Sequence, residues 1–166
     1  MSLLPETGDG VAGANTYAAL AYANTYHAAH NNTAWADAEN EPKEAALRYV
    51  TIWFDGGLKY IGERKFLDPA YLGWPRNCAY DHDGVLYTGV PERLKMAECE
   101  MALAHLTKAL NEVLARGGDL SSVWVGPITV SWNEWARADR AYPMVKKLLH
   151  GLHRGGSSIQ RRVERG

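Results

Sequence analysis

The chain has 166 residues, enough for one domain, with or without arms, and for a real hydrophobic core. Its 46% hydrophobic and 22% charged content is that of an ordinary soluble globular protein. The net charge of -1 hides an asymmetry: residues 137–166 carry eight basic side chains against two acidic ones, which leaves ten basic and seventeen acidic groups elsewhere. An acidic body makes a poor nucleic-acid-binding surface, whereas the basic end suits reception by another surface or another copy of the chain. The first residues, Met1-Ser2-Leu3-Leu4-Pro5-Glu6, have neither a basic start nor a long apolar core, so no secretory signal is expected. No apolar run approaches a membrane span. Cys78 and Cys99 fit no disulfide or metal framework, which points to a reducing compartment.

Residues 1–16, with Gly8, Gly10 and Gly13, read as an extended N-terminal arm. A first helix is predicted over Ala18–His30, with Leu20, Ala23 and Tyr26 on one side and Asn31-Asn32 at its end, since asparagine tolerates a left-handed cap. Trp35 falls in a connecting turn. A second helix is predicted to start at Pro42 and close at Gly56-Gly57, burying Ala45, Ala46, Tyr49, Val50, Trp53 and Phe54. Residues 58–68 are mixed and basic-aromatic. Asp68-Pro69 signals a short helix, and Val85-Leu86-Tyr87 a brief strand.

A long central helix is predicted from Pro91 to Arg116, ending at Gly117-Gly118. Leu94, Ala97, Met101 and Ala104 form one apolar row; Met96, Cys99, Leu103, Leu106, Leu110 and Val113 form a second on another side of the axis. A helix apolar on two sides packs against several neighbours. Alternation on both sides of Gly126-Pro127 predicts a β-hairpin or kinked strand within 120–133, in need of a partner edge. Tyr142-Pro143 opens a last helix that buries Val145, Leu148, Leu149 and Leu152. The expected fold is mainly α, a small helical bundle around a long central helix, with a β-hairpin and extended N- and C-terminal arms. Its domain spans 1–153, and 154–166 form a flexible basic tail.

No motif points to an enzyme. Asp81-His82-Asp83-Gly84 imitates a calcium loop, but Val85 and Leu86 stand where a ligand and the glycine belong, so Asp83-Gly84 reads as a turn. His27 and His30, like His150 and His153, have one-turn spacing without a third ligand. There is no phosphate-binding Gly-rich loop and no Gly-x-Ser-x-Gly, and Cys78 has no positioned base nearby in sequence. No cofactor or metal is expected. Of six tryptophans, Trp35, Trp53 and Trp74 are assigned to the core. Trp124, Trp132 and Trp135 cluster at the β segment, where they can stack bases or line a subunit interface. The acidic surroundings favour the interface.

The order of landmarks resembles a known family. These are Glu6-Thr7-Gly8-Asp9-Gly10-Val11, Ala14-Asn15-Thr16-Tyr17, Ala23-Asn24-Thr25-Tyr26-His27, Lys43-Glu44-Ala45-Ala46-Leu47-Arg48, Leu72-Gly73-Trp74-Pro75-Arg76, Val90-Pro91 before Ala97-Glu98-Cys99-Glu100-Met101-Ala102, Val125-Gly126-Pro127, and Tyr142-Pro143 with Leu148-Leu149. Over about residues 5–152 this resembles the tailed-phage head-tail connector adaptor, or head completion, family, often labelled DnaT-like single-stranded-DNA-binding. Gly73 departs from a more usual alanine. The resemblance implies a helical bundle in a homo-oligomeric ring, usually of twelve copies, docked under the portal in the virion neck. It implies the portal and a stopper or tail protein as partners, and packaged double-stranded DNA passing through the channel without sequence-specific contact. Such a protein is made in the bacterial host cytoplasm. The tail residues Arg154, Ile159, Arg161, Arg162, Val163 and Arg165 are then expected to bind the portal, and Trp124, Ile128, Val130 and Trp132 of the hairpin to form a subunit or partner interface. The alternative is a single-stranded-DNA-binding protein of DnaT-like type, using Arg154, Arg161, Arg162 and the hairpin tryptophans.

Overall fold

The computed structural model describes residues 2–107 and 142–154 in full and the backbone of 122–125 and 128–131. Helices are α1 (Leu20–Ala29), α2 (Thr33–Ala36), α3 (Asn40–Gly57), α4 (Glu92–Thr107) and α5 (Pro143–Leu149); strands are β1 (Glu63–Arg64), β2 (Arg76–Asn77), β3 (Ser122–Val125) and β4 (Ile128–Ser131). The fold is mainly helical, as expected. α4 lies at its centre, packing on α1, α2, α3 and α5. Tyr49 stacks on His105 and Thr51 reaches Glu98, so α3 and α4 run antiparallel.

Several boundaries differ from expectation. Asn31 does adopt the left-handed conformation (φ 53°) that ends α1. Trp35 sits in a one-turn helix, α2, rather than a plain turn. It is buried, donates to Asn24 Oδ1 at 2.9 Å and packs on the His27 ring. α3 starts at Asn40, so Pro42 lies within its first turn, where a missing N–H costs nothing. Asp68-Pro69 forms only a turn, held by the Asp68 carboxylate on the Ala70 N–H. Val85-Leu86-Tyr87 contributes a single bridge, Leu86 to Tyr80. Residues 122–131 form an antiparallel hairpin in the register Ser122↔Ser131 to Val125↔Ile128. The predicted end of the central helix, 108–118, lies outside the described residues.

The buried arc of α3 is also rotated. Lys43, Ala46, Leu47, Val50, Thr51 and Phe54 face inward. Ala45 is exposed, Trp53 is 45% exposed and Tyr49 is only half-buried, which corrects their placement in the core. Both arcs carry apolar residues at helical spacing, so periodicity alone could not choose between them.

Glu98 lies in the middle of α4 with no exposed surface. Its Oε1 accepts from Thr16 Oγ1 (2.9 Å), the Tyr17 N–H (3.2 Å) and Thr51 Oγ1; its Oε2 accepts from the Ala18 N–H (2.6 Å). One carboxyl group thus ties the N-terminal arm and α3 to α4. Each hydroxyl has a second acceptor, Ala18 O for Thr16 and Leu47 O for Thr51, so a protonated Glu98 can donate to a hydroxyl that turns to its carbonyl. Burial outweighs the donors and pushes the Glu98 pKa up to about 7.

The arm ahead of Thr16 doubles back on itself. Pro5 bridges Thr16, and the buried Glu6 carboxylate accepts the N–H groups of Gly8, Gly10 and Val11 at 2.8–2.9 Å. At Gly10 (φ +92°) a Cβ would lie 2.0 Å from the Phe66 ring, so only glycine fits under that ring.

A second polar node closes the bottom of the core. Asp55 accepts from Tyr17 Oη (2.5 Å), Tyr60 Oη (3.0 Å) and the Gly73 N–H (2.8 Å). Burial, with the nearby carboxylate, holds both phenols well above their ordinary pKa, so they remain donors. A Cβ at Gly73 would meet the pinned Tyr60 ring at 2.7 Å, which accounts for glycine at this position. Trp74 is fully buried, and Arg76 donates to the carbonyls of Ile61, Gly73 and Gly62 at 2.6–3.1 Å, welding β2 to the β1 loop.

The Glu98 shift has a definite sign. The fold favours the protonated form, so its contribution is full below the unfolded pKa of about 4.5 and is lost as pH rises to about 7. Between pH 5 and pH 8, urea denaturation should lose roughly 2–3 kcal/mol more stability in the wild type than in Glu98→Gln. Equal pH dependence in the two proteins would exclude Glu98 as the titrating group.

Candidate nucleic-acid interface

α5 is short and begins with proline at its first position, which supplies a ready-made helical φ. Val145 and Leu149 are buried against the core, while Lys146, Lys147 and His150 point outward. After Gly151 (φ 83°) the fully buried Leu152 anchors the chain, and its carbonyl accepts from the Ile61 N–H at 3.1 Å. The Arg154 N–H then donates to Lys59 O at 2.7 Å, setting Arg154 beside Lys59.

Arg93, in the first turn of α4, donates from Nη2 to the Lys147 carbonyl at 2.7 Å. A guanidinium on the carbonyl end of a helix is favourable for charge and hydrogen bonding together. The result is a shallow depression of about 430 Å³ lined by Arg93, Lys146, Lys147 and His150. The neighbouring carboxylate, Glu92, is engaged elsewhere, accepting from Tyr22 Oη at 2.6 Å and pairing with Lys95 at 3.4 Å. Across the β1–β2 ladder the charges of Arg64 and Arg154 reach Arg76, whose pKa is lowered first by burial and then by these cations. An open, cationic, carboxylate-free depression binds phosphate by charge and carries no base selectivity of its own.

Other sequence candidates resolve into structural roles. The Asp81 Oδ1 accepts the N–H groups of Asp83 and Val85 at 2.8–2.9 Å, so this carboxylate shapes a turn. His27 is buried, with Nδ1 facing Asn32 Nδ2 at 2.9 Å, while His30 is exposed and bonds Tyr26 O at 2.7 Å; the two do not converge. Burial lowers the His27 pKa. Cys99 is buried and its thiol is pushed up by burial, whereas Cys78 is exposed. Phe66 stacks on Tyr71 and covers Gly10, which spends its faces inside the protein. Among the described residues no three His, Cys, Asp or Glu side chains gather as a metal site, and no helix is long and apolar enough to cross a membrane.

Of the residues predicted to contact the portal, Arg154 is exposed beside Lys59 and is not among the residues that line the depression; Ile159, Arg161, Arg162, Val163 and Arg165 lie outside the described residues. Trp124, Ile128 and Val130 fall on the paired β3 and β4 backbones, and Trp132 lies outside the described residues. Sequence reading missed Arg93, because its partner is 54 positions away and neither residue belongs to a motif.

Arg93→Ala should remove a charge-assisted bond between α4 and α5 and destabilise α5 by about 1–3 kcal/mol. Hydrogen exchange should read this as faster exchange across Val145–Leu149 with α3 unchanged. Unaltered protection of α5 would show that apolar packing alone holds it.

No significant match to the chain was found among curated proteins or solved structures. A family profile does match, over residues 1–166, and the chain therefore belongs to the family described as "Putative DnaT-like ssDNA binding protein".

Proposed function

We propose that this chain binds single-stranded DNA through the α4–α5 face, by contacts to phosphates. The observation that carries the reading is the depression lined by Arg93, Lys146, Lys147 and His150, without a carboxylate among its lining residues. The family description supports the same ligand class. The basic C-terminal segment follows α5 within a few residues of the chain, so Arg154, Arg161 and Arg162 would lengthen a phosphate track. The hairpin tryptophans, Trp124 and Trp132, would add base stacking.

Fluorescence anisotropy with a labelled oligo-dT should give binding that weakens with salt. Three lysine and arginine contacts correspond to a log–log slope of about -2. Lys146→Glu with Lys147→Glu should lower affinity at least tenfold and flatten the slope, while circular dichroism stays unchanged. Binding indifferent to this double variant would sink the assignment of the face; no binding at low salt would sink the DNA reading.

A second reading is a head-tail connector adaptor of the virion neck. It is favoured by opposite charges at opposite ends of the bundle. Asp37, Glu39, Glu41 and Glu44 surround the start of α3, while Arg93, Lys146 and Lys147 lie near the start of α4. Because the two helices are antiparallel, these groups are separated by roughly 24 Å, the length of α4. Complementary surfaces at two ends suit head-to-tail association, which closes into rings. In this reading the acidic body would repel DNA phosphates in a channel, and the tail would reach the portal. Deleting residues 155–166 should leave the fold intact and weaken capture by portal rings in negative-stain images. Full portal binding by the truncated chain would remove the tail from this role.

A further inference from the structure

The outward side of α3 is apolar where a surface helix is normally polar. Ala45 and Gly56 are exposed, Ile52 is 72% exposed, Trp53 is 45% exposed, and Tyr49 is half-buried with its ring stacked on His105. On a helical wheel Ala45, Tyr49, Ile52 and Gly56 fall within about 60° of one another, opposite the buried line of Leu47, Val50 and Phe54. Trp53 borders them. Single exposed apolar side chains are common, but a continuous stripe over three turns marks a contact surface.

The stripe is complementary to itself. Turning a second α3 antiparallel about a two-fold axis at the level of Val50 and Thr51 sets Ala45 against Gly56 and Tyr49 against Ile52. Small residues then face small ones at both ends, which lets the helices approach, and the two bulky residues fill the middle. The same operation carries the acidic first turn of α3, with Glu41, to the end of the partner α3, where the exposed Lys59 follows. Antiparallel helix dipoles also favour this pairing. An isologous contact of this kind closes after two copies.

We propose that α3 is a homodimerisation surface, with a second copy of this chain packed antiparallel along Ala45, Tyr49, Ile52 and Gly56. The contact uses α3 and Lys59, which follows it, and none of the residues that line the basic depression. It leaves the depression at Arg93, Lys146, Lys147 and His150 uncovered, because that depression belongs to α4 and α5.

Sedimentation equilibrium of the full chain should report a concentration-dependent dimer. Ile52→Glu places a charge beside the axis at an exposed position, so the fold is retained by circular dichroism while dimerisation weakens tenfold or more. Glu41→Lys and Lys59→Glu should each weaken the dimer, and the combined variant should restore it by reversing the pair. The proposal is overturned by a wild type that stays monomeric at 100 µM (on the order of a weak-complex concentration). It is equally overturned by any assembly that Ile52→Glu leaves intact, or by a charge swap that fails to rescue the single variants.

Discussion

The fold hangs on one buried carboxyl group. Glu98 sits midway along α4 and gathers donors from the arm at Thr16, Tyr17 and Ala18 and from α3 at Thr51. Burying an ionised carboxylate costs several kcal/mol after relaxation. Hydrogen bonds to a charged group return about 1.5–3 kcal/mol each. The two effects nearly balance, and burial prevails, which is why the group ionises only near neutral pH. The two threonine hydroxyls make this tolerable, because each can turn to a backbone carbonyl when the carboxyl carries a proton.

This constraint propagates outward. With Thr16–Ala18 pinned, Tyr17 reaches Asp55, and Asp55 in turn holds Tyr60 and the Gly73 backbone. Tyr60 lies under the Arg76 guanidinium, whose donors fasten the segment that leads from α3 into β1. The same segment between α3 and β1 receives the chain after α5 through Ile61 and Lys59. The basic face is therefore positioned from two sides, by Arg93 on α4 and by the loop that Asp55 and Arg76 organise. On the opposite flank, Tyr22 and Tyr26 of α1 clip onto Glu92 and Glu100 of α4. Burial and the carboxylate partners raise both phenols, so they too remain donors.

Much of the fold was legible in local patterns. The rows on α4 placed Leu94, Ala97, Cys99 and Met101 in the core, and the alternation around Gly126-Pro127 announced the hairpin. Asn31 ended α1 and Tyr142-Pro143 opened α5, because capping and φ preferences act within a few residues. The candidate site was less legible. Lys146 and Lys147 stood out as charge, but their grouping with Arg93 depends on the packing of α5 along α4. The inward face of α3 was misread for a related reason: Ala45, Tyr49, Ile52 and Trp53 have helical spacing as good as that of Ala46, Leu47, Val50 and Phe54.

The apolar rows and the proline at position 91 were enough to mark α4 as the central helix, since periodicity and caps are properties of short stretches of chain. That Glu98, on the same helix, would lose all of its exposed surface was settled only when the chain packed. A glutamate is written the same way whether it faces water or four donors. The donors come from residues 47 to 82 positions away, and only folding brings them to it.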